Sequence, residues 1–162
     1  MSPAAVYMKN RVNKAWPKDS LEIYNTDQIS DTDKSLFRPQ LIQALVIASP
    51  ALRAQYTSIL NKMIATDYPN NWPEFYDLTL NLLQSGRIGE VYAGLTMLLE
   101  LTKVYRWKTA DHRAGLDSVV TNIFPVALQI ATKLLLDPNL EAATMLVLIL
   151  KAYKSAIAVD FL

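Results

Sequence analysis

The residues that most often carry catalysis are scarce in this chain of 162 residues. It contains one histidine, His112, which follows Asp111, and it contains no cysteine. General acid–base or nucleophilic catalysis needs such a group together with a second residue that activates it. We therefore interpret His112 as a surface residue, and we expect no enzymatic activity.

Motifs that bind metals or phosphates are also missing from the sequence. No His-Glu-x-x-His, Asp-x-Asp-x-Asp-Gly or Gly-x-x-x-x-Gly-Lys pattern occurs. Gly86 and Gly89 flank Arg87, which suggests a phosphate contact, but they fall between two helical patterns, where a turn is the simpler interpretation. We expect no metal and no cofactor, and we interpret the chain as an interaction scaffold.

The composition is that of a globular, helix-rich protein. Hydrophobic residues make up 51% of the chain, charged residues 19%, and there are only four glycines. The net charge of +1 gives no whole-chain field that would attract nucleic acid. The most hydrophobic run, Met145 to Leu150, ends at a charge well short of the ~18 apolar residues of a membrane helix. The sequence predicts neither nucleic-acid binding nor membrane insertion.

Apolar residues at helical spacing define the elements that make up this scaffold. Leu52, Tyr56, Ile59 and Met63, for example, recur at i, i+4, i+7 and i+11 with polar residues between them. Capping residues and prolines divide such stripes from one another. We predict seven helices, at residues 3–15, 32–48, 50–66, 72–85, 87–105, 112–136 and 138–159, the sixth kinked at Pro125. We expect Ser30 to Asp33 to form a capping box at the start of the second helix and Ser49 to cap the third.

The predicted helices pair into hairpins with a period of ~40 residues, which is typical of HEAT-type repeats. The approximate repeats are a half repeat at 3–15 and hairpins at 32–66, 72–105 and 112–159, with an exposed insertion at 16–31. Because one amphipathic pair cannot bury its apolar face alone, the pairs must stack. The sequence predicts an all-α solenoid with a right-handed superhelical path. Neither end looks like a polar capping repeat, so we expect a segment of a longer solenoid whose first helix leaves Val6, Met8 and Val12 partly exposed.

Two local strings resemble the importin-beta (karyopherin) family of nuclear transport receptors. The first runs from Ala4 to Val12 and is followed by Trp16-Pro17; it is similar to the stretch that closes the first repeat of that family. The second, Asp-Tyr-Pro-Asn-Asn-Trp-Pro-Glu at 67–74, resembles the link between the second and third repeats. Leu95 to Trp107 is similar to the third repeat of the importin seven/eight branch and its fungal relatives. The resemblance implies an N-terminal segment that lacks the further helix with which family members begin.

The resemblance also implies a function. It suggests a non-enzymatic nuclear import receptor that shuttles between cytoplasm and nucleus through the nuclear pore. Its amino-terminal repeats would bind the Ran GTPase in its GTP form, and its cargoes would be basic nuclear proteins such as ribosomal proteins or histones. Phenylalanine-glycine nucleoporins would bind repeats outside this chain. A non-transport helical-repeat scaffold or adaptor, and an exportin of the same family, remain alternative interpretations.

Candidate site residues follow from the same resemblance. Ran contacts in the family come from the second helix of each hairpin, here 3–15, 50–66 and 87–105. The polar residues on these helices that we predict to contact Ran are Lys9, Asn10, Gln55, Asn61, Lys62 and Glu90. The residues of the second string that we predict to be structural are Asp67, Pro69, Trp72 and Pro73. In this prediction the prolines stiffen the link, Trp72 folds back over it, and Asp67 accepts backbone N–H groups from the next helix.

Overall fold

The computed structural model describes residues 2–17, 28–109 and 114–158, and within these ranges the chain forms helices and connecting turns. The helices divide between two units, residues 1–68 and 69–162, which we describe separately. The eight helices are α1 Pro3–Ala15, α2 Asp31–Ile47, α3 Pro50–Asp67, α4 Phe75–Gln84, α5 Ile88–Tyr105, α6 Ala114–Asn122, α7 Phe124–Leu136 and α8 Leu140–Ile157.

In the first unit α3 is the central helix, and both α1 and α2 pack against it. The side chains of Ile59, Leu60, Met63 and Ile64 are completely buried along the inner side of α3. Since α1 packs on α3, Val12 is buried to 3% exposure, and the prediction that it would be partly exposed is wrong. Val6 and Met8 are half-buried, as predicted.

Of the helix starts at α2 and α3, only that of α2 has a capping hydrogen bond with a side chain. At α2 the Ser30 hydroxyl accepts a hydrogen bond from the Asp33 backbone N–H at 3.1 Å, as the sequence predicts. At α3 Ser49 occupies the capping position, but its side chain makes no capping hydrogen bond. The prediction that Ser49 caps α3 is therefore wrong for its hydroxyl, and Pro50 in the first turn is the feature that favours a helix start here.

In the second unit α5 packs against both α4 and α8. Every residue from Val91 to Thr102 is buried, as expected for a helix that is covered on all sides. The buried hydroxyls of Thr96 and Thr102 donate to backbone carbonyls of α5 at 2.9 and 2.8 Å, so both polar groups are satisfied. The buried carboxylate of Glu100 is also satisfied, because it forms an ion pair with the Lys103 ammonium at 2.6 Å.

The predicted kink near Pro125 is a break between α6 and α7. Pro125 lies in the first turn of α7, where the missing N–H of proline is tolerated, and the helix is interrupted at Ile123. The Ile123 N–H still bonds the Val119 carbonyl at 2.8 Å, so the helical course is resumed after a single residue. The predicted sixth helix, 112–136, is thereby divided into two.

The prediction of an all-α fold built from helical hairpins is confirmed. The paired elements begin at Asp31, Phe75 and Ala114, close to the predicted period. The start of α4 lies three residues later than predicted, because the chain before it forms turns at residues 68–71 and 73–74. The superhelical handedness stays a prediction. His112 and residues 18–27 of the predicted insertion lie outside the described residues.

The last helices expose a large amount of apolar surface. The stretch Gly115–Leu136 is long and apolar enough to cross a membrane by length and composition, a test that core helices of soluble proteins also pass. One side of it is buried in the second unit through Val119, Ile123 and Ala127. The other side and α8 expose the residues that we call the α7–α8 apolar face: Leu128, Leu135, Leu136, Leu140 and Leu150, each at least 66% exposed.

Candidate partner-binding surface

A buried carboxylate joins the two strings that carry the family resemblance. Asp67 is the last residue of α3 and is only 3% exposed. Its Oδ2 atom accepts hydrogen bonds from the Trp16 indole Nε1 at 3.0 Å and from the Arg38 guanidinium Nε and Nη2 at 3.0 and 2.6 Å. One carboxylate therefore ties the end of α1 and the middle of α2 to the end of α3.

The environment of Trp16 reinforces this junction. Trp16 is 1% exposed, and its ring centroid lies 5.7 Å from that of Phe37 on α2. The Lys34 ammonium stands 5.5 Å from the Trp16 ring, within cation–π range, although Lys34 itself is buried. These contacts hold α1 in a fixed position against the rest of the first unit, so the polar residues on α1 and α3 are presented in a defined arrangement.

The 67–74 string therefore works differently from the sequence-based prediction. Asp67 contacts Trp16 and Arg38, two side chains that precede it in the chain, and the predicted hydrogen bonds to the start of the next helix stay a prediction. Trp72 is 3% exposed and packs edge-on against Phe75, the first residue of α4, with ring centroids 5.0 Å apart. Pro69 and Pro73 are exposed, as suits residues that restrict the backbone and do not fill the core.

The candidate residues of the first unit lie on the two helices that pack together, α1 and α3. Asn10 is exposed and Lys9 is half-buried on α1. On α3, Gln55, Asn61 and Lys62 are all half-buried, so each lies at the border between the core side and the solvent side. Half-buried polar side chains are the type expected at the rim of a reversible interface, although the Oε1 atom of Gln55 is itself buried.

The solvent side of α3 itself carries small side chains. Ala54, Ser58 and Ala65 are exposed and, at about 100° per residue, fall on one side of the helix, opposite the buried stripe. Asn61 borders this strip on one edge, and Gln55 and Lys62 border it on the other. We call Ala54, Ser58 and Ala65 the α3 strip. A partner can approach the α3 backbone closely along it while it contacts the polar residues on either side.

The remaining candidate, Glu90, belongs to the second unit and is already engaged. Its carboxylate forms an ion pair with the Arg87 guanidinium at 2.7 Å, at the start of α5. The Arg87 hydrogen bond holds the pKa of Glu90 below its usual value, and the same bond raises the pKa of Arg87. Gly86, with φ of 72°, forms the turn before it, in agreement with the turn interpretation of the Gly86–Gly89 stretch. The Arg87 side chain is 75% exposed and the Glu90 side chain 21% exposed, so a partner would reach the arginine of the pair more readily.

Two structural side chains were missed at the sequence level. Arg38 and Lys34 lie four residues apart on the buried stripe of α2, and both pack around Trp16 and Asp67. The signal was present, because two cations on the same side as Leu41 and Leu45 require a buried carboxylate or ring as partner. Among the described residues, which do not include His112, the acidic side chains form no cluster of three that could hold a metal ion.

A cleft of about 450 Å³ opens in the second unit between the α4–α5 turn and the α7–α8 turn. Its floor is apolar, with Leu83, Val91, Ile130 and Met145, while Lys133, Asp137 and Glu141 are among the residues that give it a polar rim. Its size and lining suit a large apolar side chain of a bound peptide.

Comparison with known proteins gives relatives over nearly the whole chain. No protein-family model matches the chain. The chain is 33% identical over 161 residues to Importin beta-like SAD2 homolog of Arabidopsis thaliana, which covers 97% of this chain and 15% of the relative. It is 29% identical over 157 residues to Importin-8 of Danio rerio (95% and 15%) and 28% identical over 163 residues to Nonsense-mediated mRNA decay protein 5 of Saccharomyces cerevisiae (93% and 16%). The chain thus spans about 15% of the length of these relatives.

Proposed function

Because this chain is related over nearly its whole length to importin-beta family transport receptors, we propose that it is a segment of a nuclear transport receptor that binds the GTP form of the Ran GTPase. The observation that carries the proposal is the buried Asp67 junction. Through the bond between Trp16 and Asp67, it connects the two strings that resemble the family. The junction supports a role in which α1 and α3 are held as a preformed binding surface.

A longer stack of helices is the second part of the proposal. The α7–α8 apolar face exposes five leucines, and an isolated soluble domain rarely leaves so much apolar surface in contact with water. The relatives are several times longer than this chain. We propose that in a longer protein a further helical pair covers this face, as stacking repeats require.

The expected partners fit the same proposal. Basic nuclear cargo such as ribosomal proteins or histones would bind the complete receptor, which would shuttle between cytoplasm and nucleus through the pore. Phenylalanine-glycine nucleoporins would bind repeats outside this chain. The names of the importin relatives support import over export in this proposal, and they support transport over a general scaffold role.

The proposed Ran surface is the α3 strip with its polar borders. Replacing Ser58 by arginine places a long cation in the middle of the strip, where it blocks close approach of a partner. We expect the affinity of the chain for the GTP form of Ran to fall at least about tenfold, or about 1.4 kcal/mol. The affinity is measured by isothermal titration calorimetry of the purified chain with Ran bound to a non-hydrolysable GTP analogue.

Thr32→Arg is the matched control for this experiment. It adds the same side chain to an exposed position in the first turn of α2, away from the α3 strip. Both variants should unfold at the same urea concentration as the unchanged chain, because both positions are exposed. If Thr32→Arg weakens binding as much as Ser58→Arg, or if neither does, the α3 strip is not the Ran surface.

A further inference from the structure

The end of α5 carries an exposed tryptophan. Trp107 is 82% exposed, whereas Trp16 and Trp72 are 1% and 3% exposed. The backbone around it is nevertheless ordered by hydrogen bonds, because the Arg106 N–H bonds the Thr102 carbonyl and the Lys108 N–H bonds the Tyr105 carbonyl, both at 3.0 Å. An indole held in water on a fixed turn is the type of side chain that most often dominates the affinity of a binding surface.

Cations flank this tryptophan in the sequence, and one of them contacts its ring. The Arg106 guanidinium carbon lies 5.3 Å from the centre of a Trp107 ring, and the Lys108 ammonium lies 4.6 Å from the centre of the Tyr105 ring. Lys103 is already paired with Glu100, but among the described residues Arg106 has no carboxylate within ion-pair distance. Arg106 is the cation nearest the indole, and its guanidinium stays protonated at any physiological pH. Burial lowers the pKa of Lys108 from its usual value.

We propose that Arg106, Trp107 and Lys108, which we call the Trp107 surface, bind a short acidic peptide segment that has an aromatic or aliphatic side chain next to its carboxylates. The apolar side chain would cover the indole, and the planar guanidinium, already within cation–π range of that indole, would take a carboxylate through two parallel N–H···O bonds. The contact with the indole restricts the arginine before binding, so less side-chain entropy is lost when the peptide arrives.

Neither the helix dipole nor a nucleic-acid partner accounts for the whole of this arrangement. Cations at the C-terminal end of a helix interact favourably with its dipole, which explains Arg106 and Lys108 but not an indole that is 82% exposed. Single-stranded nucleic acid also stacks on tryptophan, but it needs a positive groove along several phosphates. The net charge of the whole chain is only +1, and two cations flank the indole, so the charge pattern fits a few carboxylates better than a polyanion.

The proposal does not depend on Ran binding. Basic cargo of the complete receptor would be repelled by Arg106 and Lys108, so the Trp107 surface is complementary to a different class of partner. It belongs to the second unit, whereas the α3 strip belongs to the first. A substitution at one surface is therefore expected to leave binding at the other unchanged.

The test uses a fluorescein-labelled twelve-residue peptide with one phenylalanine flanked by three glutamates on each side, and a companion peptide with glutamines in place of the glutamates. We expect the acidic peptide to bind the purified chain in fluorescence anisotropy titrations. Its affinity should fall at least about tenfold in Trp107→Ala and in Arg106→Gln, and raising the salt concentration from about 50 to 500 mM should weaken it further. The glutamine peptide should bind at least about tenfold more weakly.

Leu140→Ala is the matched control, because Leu140 is 86% exposed and lies in the same unit. This variant should bind the acidic peptide as the unchanged chain does, and circular dichroism should show equal helicity in all variants. The proposal is overturned if the acidic peptide does not bind, if it binds Trp107→Ala equally well, or if the glutamine peptide binds as tightly. Tighter binding of a labelled oligothymidine would also overturn it and would assign the surface to single-stranded nucleic acid.

Discussion

Replacing Asp67 by alanine should lower the free energy of unfolding of the first unit by about 3–5 kcal/mol, the usual range for removing one partner of a buried ion pair. The substitution leaves the Arg38 guanidinium, whose side chain is 12% exposed, without its carboxylate. It also leaves the indole N–H of Trp16 without an acceptor at a site where water has little access. Both losses add to the same result, because both donors use Oδ2 of Asp67.

The measurement is urea unfolding followed by circular dichroism. The Asp77→Ala variant is the control, because Asp77 is an exposed acidic residue in the first turn of α4, and its loss should cost under about 1 kcal/mol. A second variant, Asp67→Leu with Arg38→Met, removes both charges and should be less destabilised than Asp67→Ala alone. A cost below about 1 kcal/mol for Asp67→Ala would contradict the junction.

Replacing Phe75 by alanine should destabilise the second unit by a similar amount, about 3–5 kcal/mol. Phe75 has no exposed surface, so alanine leaves a cavity at the start of α4. The substitution also removes the edge-on contact with Trp72, whose ring lies 5.0 Å away. Thermal unfolding measured by calorimetry should show the loss as a lower transition temperature of the transition that belongs to the second unit.

Tyr153→Ala isolates the contribution of burial. Tyr153 also packs edge-on against another ring, Phe124 at 5.5 Å, but it is 55% exposed. Its removal should cost about 1.5 kcal/mol or less, because little core volume is lost. If the two substitutions cost the same, the aromatic contact rather than the cavity decides the effect, and our description of Phe75 as a core residue is wrong.

The helices were readable from the sequence because apolar spacing and capping residues act locally. The stripe with Ile59 and Met63 predicted α3 to within one residue at its end, and Ser30 marked the start of α2. The prediction began α4 at Trp72 because an apolar residue there continues the helical stripe. In the structure Trp72 precedes the helix and is buried by packing on Phe75, the first residue of α4. The interruption of 112–136 near Pro125 was foreseen, since a proline in the interior of a helix removes a backbone hydrogen bond and clashes with the preceding turn.

Contacts between helices could not be predicted from local sequence patterns. Asp67 was assigned a local capping role because such roles depend only on neighbours in the chain, whereas its actual donors, Trp16 and Arg38, are 51 and 29 residues away. For the same reason α1 was expected to expose Val12, and packing on α3 buries it. The residues proposed for Ran binding could be chosen from the sequence because they are polar. The strip of small side chains between them could be identified only from the exposure of each residue of α3 in the structure.

The measurement that tests the central claim most directly is the affinity of this chain for Ran in its two nucleotide states. The purified chain is titrated with Ran bound to a non-hydrolysable GTP analogue and, separately, with Ran bound to GDP. We predict that the GTP form binds at least about tenfold more tightly, a difference of about 1.4 kcal/mol, and that Ser58→Arg removes this preference. Equal affinity for the two forms, or tighter binding of the GDP form, would contradict the proposal that this chain is part of a Ran-dependent transport receptor.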